Sequence, residues 1–320
     1  MVNDFIALSD FSLEEIEELL DFADELKSQQ KTGKCPKLLA GKTVAMLFEK
    51  PSLRTRVTFE TGVFQMGGHA IYFHTRLGER ETVPDIARNL ERWVDAIVAR
   101  TFAHDHVLEL AEFCDKPVVN ALTDFNHPCQ ILADVQALRE HRGKNLAGFR
   151  IAFVGDGNNV FNSWVNFARR VPIHLTLVGP EGYISHPKFV AQAAAECKGS
   201  ITITNELDGV NGADAIYTDV WASMGQEDEA AVRERAFARY QVNAALMARA
   251  KSDALFLHCL PAHRGSEVTD EVMDSPNSIV FDQAENRLHA QNALLCHLLA
   301  AAPAAGARPA PAPAAASSAR

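Results

Sequence analysis

The stretch TVAMLFEKPSLRTRVTFETGVFQMGG, residues 43–68, decides the fold. Thr43–Phe48 is an almost unbroken apolar run of strand length, as in a strand covered on both faces. A polar turn follows, and Arg54–Met66 then keeps helical spacing until Gly67-Gly68 stops it. Strand, turn and helix in that order form half of a βαβ unit. The same order recurs along the chain, which predicts parallel sheets.

Toward the N-terminus, Ser12 with Glu15 fits a capping box, and apolar residues from Leu13 to Leu26 keep helical spacing. Toward the C-terminus, strands are expected at Ala70–Phe73, Ala96–Ala99 and Pro117–Asn120, and helices at Asp85–Val94, His104–Phe113 and His127–His141. A polar break at Arg142–Gly148 ends this series. Strands restart at Arg150–Val154, His174–Val178, Ile201–Thr204, Ala215–Thr218 and Leu255–His258. A last short strand, Ile279–Phe281, and a last helix, Ala284–Ala300, are expected. The predicted fold is α/β: two domains of similar size, each a parallel sheet flanked by helices, with an active-site cleft between them. The boundaries are 1–141 and 148–283, with helix 284–300 returning to the first domain. Residues 301–320 carry eleven alanines and four prolines, which predicts a disordered tail.

Composition narrows the function. The chain has 320 residues, 47% hydrophobic and 22% charged, enough for a sizeable core. Lys+Arg is 31 and Asp+Glu is 41, so the net charge of −10 argues against nucleic-acid binding. Six widely spaced cysteines form no Cys-x-x-Cys pair and fit a reducing compartment. No signal-peptide pattern opens the chain and no apolar run is long enough to span a bilayer. A cytoplasmic protein with no membrane partner is expected.

Several segments sit where α/β proteins place chemistry, at the C-terminal ends of strands. In residues 49–56, EKPSLRTR, hydroxyls and arginines share the first turn of a helix, where anions are favoured; a capped helix with a solvated arginine pair is the alternative. Arg100 ends a strand. His127-Pro128-Cys129-Gln130 opens a helix, and its histidine could polarise a carbonyl or simply cap. Gly155-Asp156-Gly157-Asn158-Asn159-Val160 invites a dinucleotide, yet Val160 takes the third glycine position and the next strand ends Val178-Gly179-Pro180, without the acidic residue expected for a ribose. Asp219 could hold a substrate ammonium. Cys259 could be a thiolate, a hydrogen-bonding thiol or a core residue, and no second pair supports a closed zinc site.

Taken together these segments resemble the aspartate/ornithine carbamoyltransferase family, over about Phe5 to Leu299. The motifs are Ser-Leu-Arg-Thr-Arg, Ala-Arg-Thr, His-Pro-Cys-Gln, Gly-Asp-Gly-Asn-Asn, Asp-Val-Trp-Ala-Ser-Met-Gly, His-Cys-Leu-Pro and Ala-Glu-Asn-Arg, in that order. The resemblance is stronger to the ornithine-type members. It implies that the carbamoyl group of carbamoyl phosphate passes to the side-chain amine of L-ornithine, giving L-citrulline and phosphate. Ser52, Leu53, Arg54 and Thr55 match the phosphate-holding turn. Arg100, His127 and Gln130 match positions around the carbamoyl group, and Arg287 a further contact. Asn159, Asp219, Ser223 and Met224 match ornithine-binding positions. Cys259 and Leu260 match a pair touching both substrates, Cys259 being the family's candidate proton acceptor. Arg100, His127 and Cys259 are thus the implied catalytic residues. The resemblance implies no metal, no organic cofactor and a homotrimer.

The aspartate-type members use a lysine from a loop after the second strand, and here no lysine occurs between Lys50 and Lys116. Putrescine and N-acylated ornithine are the alternative acceptors. A non-catalytic binding protein on the same scaffold would be expected to lose Arg54, His127 or Cys259, and all three are present.

Overall fold

The computed structural model describes residues 4–184, 186–222 and 227–301. The first sheet contains β1 (Thr43–Phe48), β2 (His69–His74), β3 (Ala96–Arg100) and β4 (Val118–Leu122), all parallel, in the order β2-β1-β3-β4. Its helices are α1 (Leu13–Lys31), α2 (Leu53–Gln65), α3 (Val83–Leu90) and α4 (His104–Glu112). The capping box forms: Glu15 N donates to Ser12 Oγ at 3.1 Å, and Ser12 N to Glu15 Oε2 at 2.8 Å. Ser52 caps α2 by accepting from Thr55 N. Helix α3 begins two residues before the expected Asp85, because Thr82 caps it with Pro84 in its first turn, and it ends four residues before Val94.

Helix α5 (Pro128–Arg142) leads from the first domain to the second. The second sheet is built from β5 (Arg150–Val154), β6 (His174–Val178), β7 (Ser200–Thr204), β8 (Ala215–Thr218) and β9 (Leu255–His258), in the parallel order β7-β6-β5-β8-β9. The helices α6 (Asn159–Ala168), α7 (Pro187–Glu196), α8 (Ala230–Phe237), α9 (Ala244–Met247) and α10 (Asp270–Met273) accompany it.

The expected strand at Ile279–Phe281 is not there. Residues 277–279 touch β9 only through an isolated bridge at Ser278, and α11 (Val280–Ala301) begins at once. Val280, Gln283, Arg287 and Leu294 are buried while Phe281 is 66% exposed. That spacing is helical; a short apolar run at a buried helix start reads like a strand. Helix α11 lies against α1, α2 and α5. The Ala/Pro tail beyond residue 301 lies outside the described residues.

Strand order places the site. The first sheet reverses direction of growth between β1 and β3, the second between β5 and β8. Loops leaving neighbouring strands diverge at such points and open a crevice. The loops after β1 and β3 therefore face those after β5 and β8 across one cleft.

Candidate active site

The cleft has a volume of about 470 Å³ and is walled by both domains. Ser52, Leu53, Arg54, Thr55, Arg100, His127, Gln130, Asn159, Asp219, Cys259, Leu260 and Arg287 all line it. Ser223 and Met224 lie outside the described residues. Arg56, from the same motif, does not enter: its guanidinium stacks 3.7 Å over Tyr72 and its Nε donates to Glu60.

One wall is cationic. Arg287 is buried; its Nη2 donates to Thr55 Oγ1 at 3.1 Å, its Nη1 to Gln130 Oε1 at 2.7 Å and its Nε to Gln291 Oε1 at 2.9 Å. Arg100 ends β3, only 6% exposed, and its Nε is buried without a protein partner among the described residues. Burial, then Arg287 and Arg54, bring it down to about 10, so it remains a cation at neutral pH. Burial also lowers Arg54 and Arg287. Three guanidinium groups grouped this closely, none hydrogen-bonded to a carboxylate among the described residues, favour an anion between them.

His127 sits at the head of α5, before Pro128, and its backbone N donates to Ser163 Oγ on α6 at 2.6 Å. Burial, followed by Arg287, Arg100 and Arg54, holds its imidazole well below the ordinary range. The ring is neutral at neutral pH and can act only as a neutral hydrogen-bonding group.

The opposite wall is acidic. Asp219 leaves β8; its Oδ2 accepts from Asn158 Nδ2 at 2.7 Å and its Oδ1 from Val220 N at 2.8 Å. Cys259 leaves the adjacent β9, and its thiol donates to Asp219 Oδ1 at 3.0 Å. Burial first, then Asp219, push this thiol well above the usual cysteine range. It is therefore a neutral donor, which decides among the three sequence readings of Cys259. Leu260 has φ +59°, a left-handed conformation uncommon for a residue with a Cβ, and its N–H donates to His258 Nδ1. Asp219, His258 and Cys259 bring ligand atoms within 4.8 Å of one another. Because His258 Nδ1 accepts from Leu260, its Nε2 must donate to Glu267 at 3.1 Å, leaving the ring no spare ligand atom.

The glycine turn after β5 is committed to packing. Gly155 has φ +132°, and a Cβ on Gly179 would lie 2.2 Å from the Gly155 oxygen. The Tyr183-Ile184 segment covers Gly157, whose N–H donates to Tyr183 O at 2.9 Å. The glycines serve this close approach, and a pyrophosphate would find Gly157 already covered. Asn159 lines the cleft, but its Nδ2 donates to Thr123 O across the domain boundary at 2.7 Å.

Lys50 and His263 also line the cleft and were not singled out from sequence. Lys50 Nζ lies 4.3 Å from the Phe102 ring centre. Its place inside the 49–56 motif was the available signal; His263 carried none.

Comparison with known proteins gives a consistent result. Residues 3–140 match the aspartate/ornithine carbamoyltransferase carbamoyl-P binding domain, and residues 147–298 match the Asp/Orn binding domain of the same family. An ornithine carbamoyltransferase of Thermococcus kodakarensis is 49% identical over 299 residues, covering 91% of this chain and 95% of that one. One of Anoxybacillus flavithermus is 50% identical over 303 residues, covering 92% and 96%. The solved ornithine carbamoyltransferase from Pyrococcus furiosus superposes with a TM-score of 0.88 at 48% identity, covering 93% of this chain and 97% of that one.

Proposed function

The chain belongs to the aspartate/ornithine carbamoyltransferase family and is a carbamoyltransferase, and from that footing we propose how its cleft moves the carbamoyl group of carbamoyl phosphate to the side-chain amine of L-ornithine. The observation that carries this reading is the polarity of the cleft: Arg54, Arg100 and Arg287 on one wall, the Asp219–Cys259 pair on the other. A doubly charged phosphate fits the first wall and an ammonium the second.

Carbamoyl phosphate binds with its phosphate at the N-terminus of α2, taking Ser52, Leu53, Arg54 and Thr55, with Arg100 beside it. Gln130, Leu260 and Arg287 frame its carbamoyl end. Ornithine binds against Asn159 and Asp219, with Ser223 and Met224 completing the site. The free amine has a pKa of about 10.4, so roughly one molecule in 2,500 is neutral at pH 7. Asp219 and Cys259 carry that proton away: the amine gives a proton to the sulfur as the thiol passes its own to Asp219 Oδ1. The nitrogen then bonds to the carbamoyl carbon, and an oxyanion develops. Arg100 and neutral His127 stabilise it. The C–O bond to phosphate breaks, phosphate leaves with the electron pair and takes the remaining extra proton from the attacking nitrogen, and Arg54 and Arg100 balance its charge. The cleft walls exclude water, which would otherwise hydrolyse carbamoyl phosphate.

The working particle is a homotrimer. Supporting it, α2 exposes Leu53, Val57 and Phe64, the edge strand β2 exposes Ile71 and Phe73, and Trp93 is 69% exposed. Large apolar side chains exposed on α2 and β2 and at Trp93 favour a partner, here a second copy of the chain. Sedimentation should give three times the 35.0 kDa chain mass, and Trp93→Lys should shift it to smaller species. The catalytic reading is tested by mixing carbamoyl phosphate with ornithine: citrulline and phosphate should appear in equal amounts. Phosphate without citrulline would mean hydrolysis and would overturn it.

A further inference from the structure

Asp134 lies in the middle of α5 with no solvent exposure. Among the described residues, every donor to its carboxylate is neutral. Gln130 Nε2 and Gln283 Nε2 reach Oδ1 at 2.7 and 2.8 Å, and Tyr217 Oη–H reaches Oδ2 at 2.9 Å. These donors come from α5, α11 and β8, so one carboxylate joins three elements.

An ionised carboxylate only accepts. Both glutamine amides must therefore turn their NH₂ groups toward Asp134 and their oxygens away. The outward oxygens are then set: Gln130 Oε1 accepts from Arg287 at 2.7 Å, and Gln283 Oε1 accepts from His258 N at 3.0 Å. Arg287 reaches on to Thr55, and His258 precedes Cys259. We propose that Asp134 is a positioning residue for carbamoyl transfer, its buried carboxylate fixing the orientation of Gln130 and Gln283 and thereby aligning the arginine wall with the strand end that carries Cys259. The proposal rests on the reaction assigned above.

Protonation would loosen the arrangement, because the charge that anchors both amides is lost. A proton on Oδ1 displaces a glutamine N–H, so that Arg287 or His258 N loses its acceptor, while one on Oδ2 is met by the Tyr217 hydroxyl turning to accept. Burial pushes the Asp134 carboxyl up to about 6, against the pull of Gln283, Gln130, Tyr217 and Arg287. The other titratable groups facing it are Arg287 on α11, Tyr217 on β8 and Cys259 after β9. Tyr217 and Cys259 are held well above their ordinary ranges and keep their protons near pH 6. Arg287 keeps its charge. Asp134 is thus the member of this group that changes charge near pH 6, being ionised above it and protonated below.

The test compares full-length wild type, Asp134→Asn and Tyr217→Phe. Melting temperature is measured for each, with kcat and KM for both substrates between about pH 5 and 9. Wild type should lose kcat as pH falls through about 6. In Asp134→Asn the amide cannot accept at every contact; kcat should fall roughly ten- to a hundred-fold and that acid limb should vanish. Tyr217→Phe keeps the carboxylate but removes one donor, so its limb should move to higher pH. Asp156, in the turn after β5, is also pushed up to about 6 by burial. The limb therefore belongs to Asp134 only when Tyr217→Phe moves it. A folded Asp134→Asn enzyme with wild-type kcat and an unmoved limb would overturn the proposal. If Asp134→Asn does not fold, an unmoved limb in Tyr217→Phe overturns it alone. Wild-type turnover of ornithine with an unmoved limb refutes only the role of Asp134; absence of wild-type turnover refutes the reaction assignment as well.

Discussion

Cys259 Sγ lies 3.0 Å from Asp219 Oδ1, joining the ends of the neighbouring parallel strands β9 and β8 into one hydrogen-bonded unit. The thiol is the donor and is held far above the ordinary cysteine range. Its job is therefore relay and placement rather than standing thiolate chemistry. Cys259→Ala should lower kcat/KM for ornithine by roughly 10²–10⁴, the usual span for losing an acid–base group. The KM for carbamoyl phosphate should change less. In wild type, iodoacetamide at about pH 8 should label Cys259 slowly, since the thiolate is the nucleophile. Rapid labelling, followed by mass spectrometry, would contradict a neutral thiol.

Arg100 should matter most in the transition state. Its guanidinium is buried, and its Nε finds no protein acceptor among the described residues. Arg100→Met should cost about 10²–10³ in kcat, as for loss of one preorganised donor to a developing oxyanion. Steady-state kinetics decide this. A change confined to KM would assign Arg100 to ground-state binding alone.

His127 is held well below the usual histidine range by burial and by three arginines. A lowered folded-state pKa means the ring is already neutral at neutral pH and stays neutral as pH rises. Deprotonation of His127 should therefore leave no limb in the rate profile between about pH 6 and 9. His127→Gln, which keeps a neutral donor, should retain more activity than His127→Ala. If both variants are equally inactive, donation from this position is not the role.

Gly179 has a purely steric task. A Cβ there would meet the Gly155 oxygen at 2.2 Å, and that oxygen is backbone, which cannot swing aside. Gly179→Ala should lower stability by about 1–3 kcal/mol, in the range of overpacked sites. It should also raise the KM for ornithine more than that for carbamoyl phosphate, because the displaced turn carries Asn158 and Asn159. Thermal melts and the ratio of the two KM values check this.

Most of the scaffold was readable because its inner strands β1, β3, β5 and β8 are largely buried on both faces. β5, β6, β8 and β9 have the expected bounds. The run 279–281 failed because Ile279 and Val280 are buried in a helix start, where a three-residue pattern has no period to show. Most cleft residues were legible because they follow a strand in a motif of unusual composition; Arg287 lies inside α11 and was legible only through the Ala-Glu-Asn-Arg motif. Asp134 and Tyr217 were not: within α5 and β8 they look like ordinary interior positions, and only the packing of α11 on α5 brings Gln283 to them. The sense of the Cys259–Asp219 bond was equally hidden, since it depends on burial.

The most direct measurement is product formation from carbamoyl phosphate with L-ornithine, putrescine, N-acetyl-L-ornithine and L-aspartate offered separately. Citrulline should form from L-ornithine at a kcat/KM far above that for the other acceptors. Asp219 and Cys259 form an acidic wall suited to an amine, and no lysine lies between Lys50 and Lys116 to hold a second carboxylate. Preference for another acceptor would contradict the reading of the acidic wall while leaving the arginine wall intact. No transfer to any acceptor by folded protein would contradict the account as a whole.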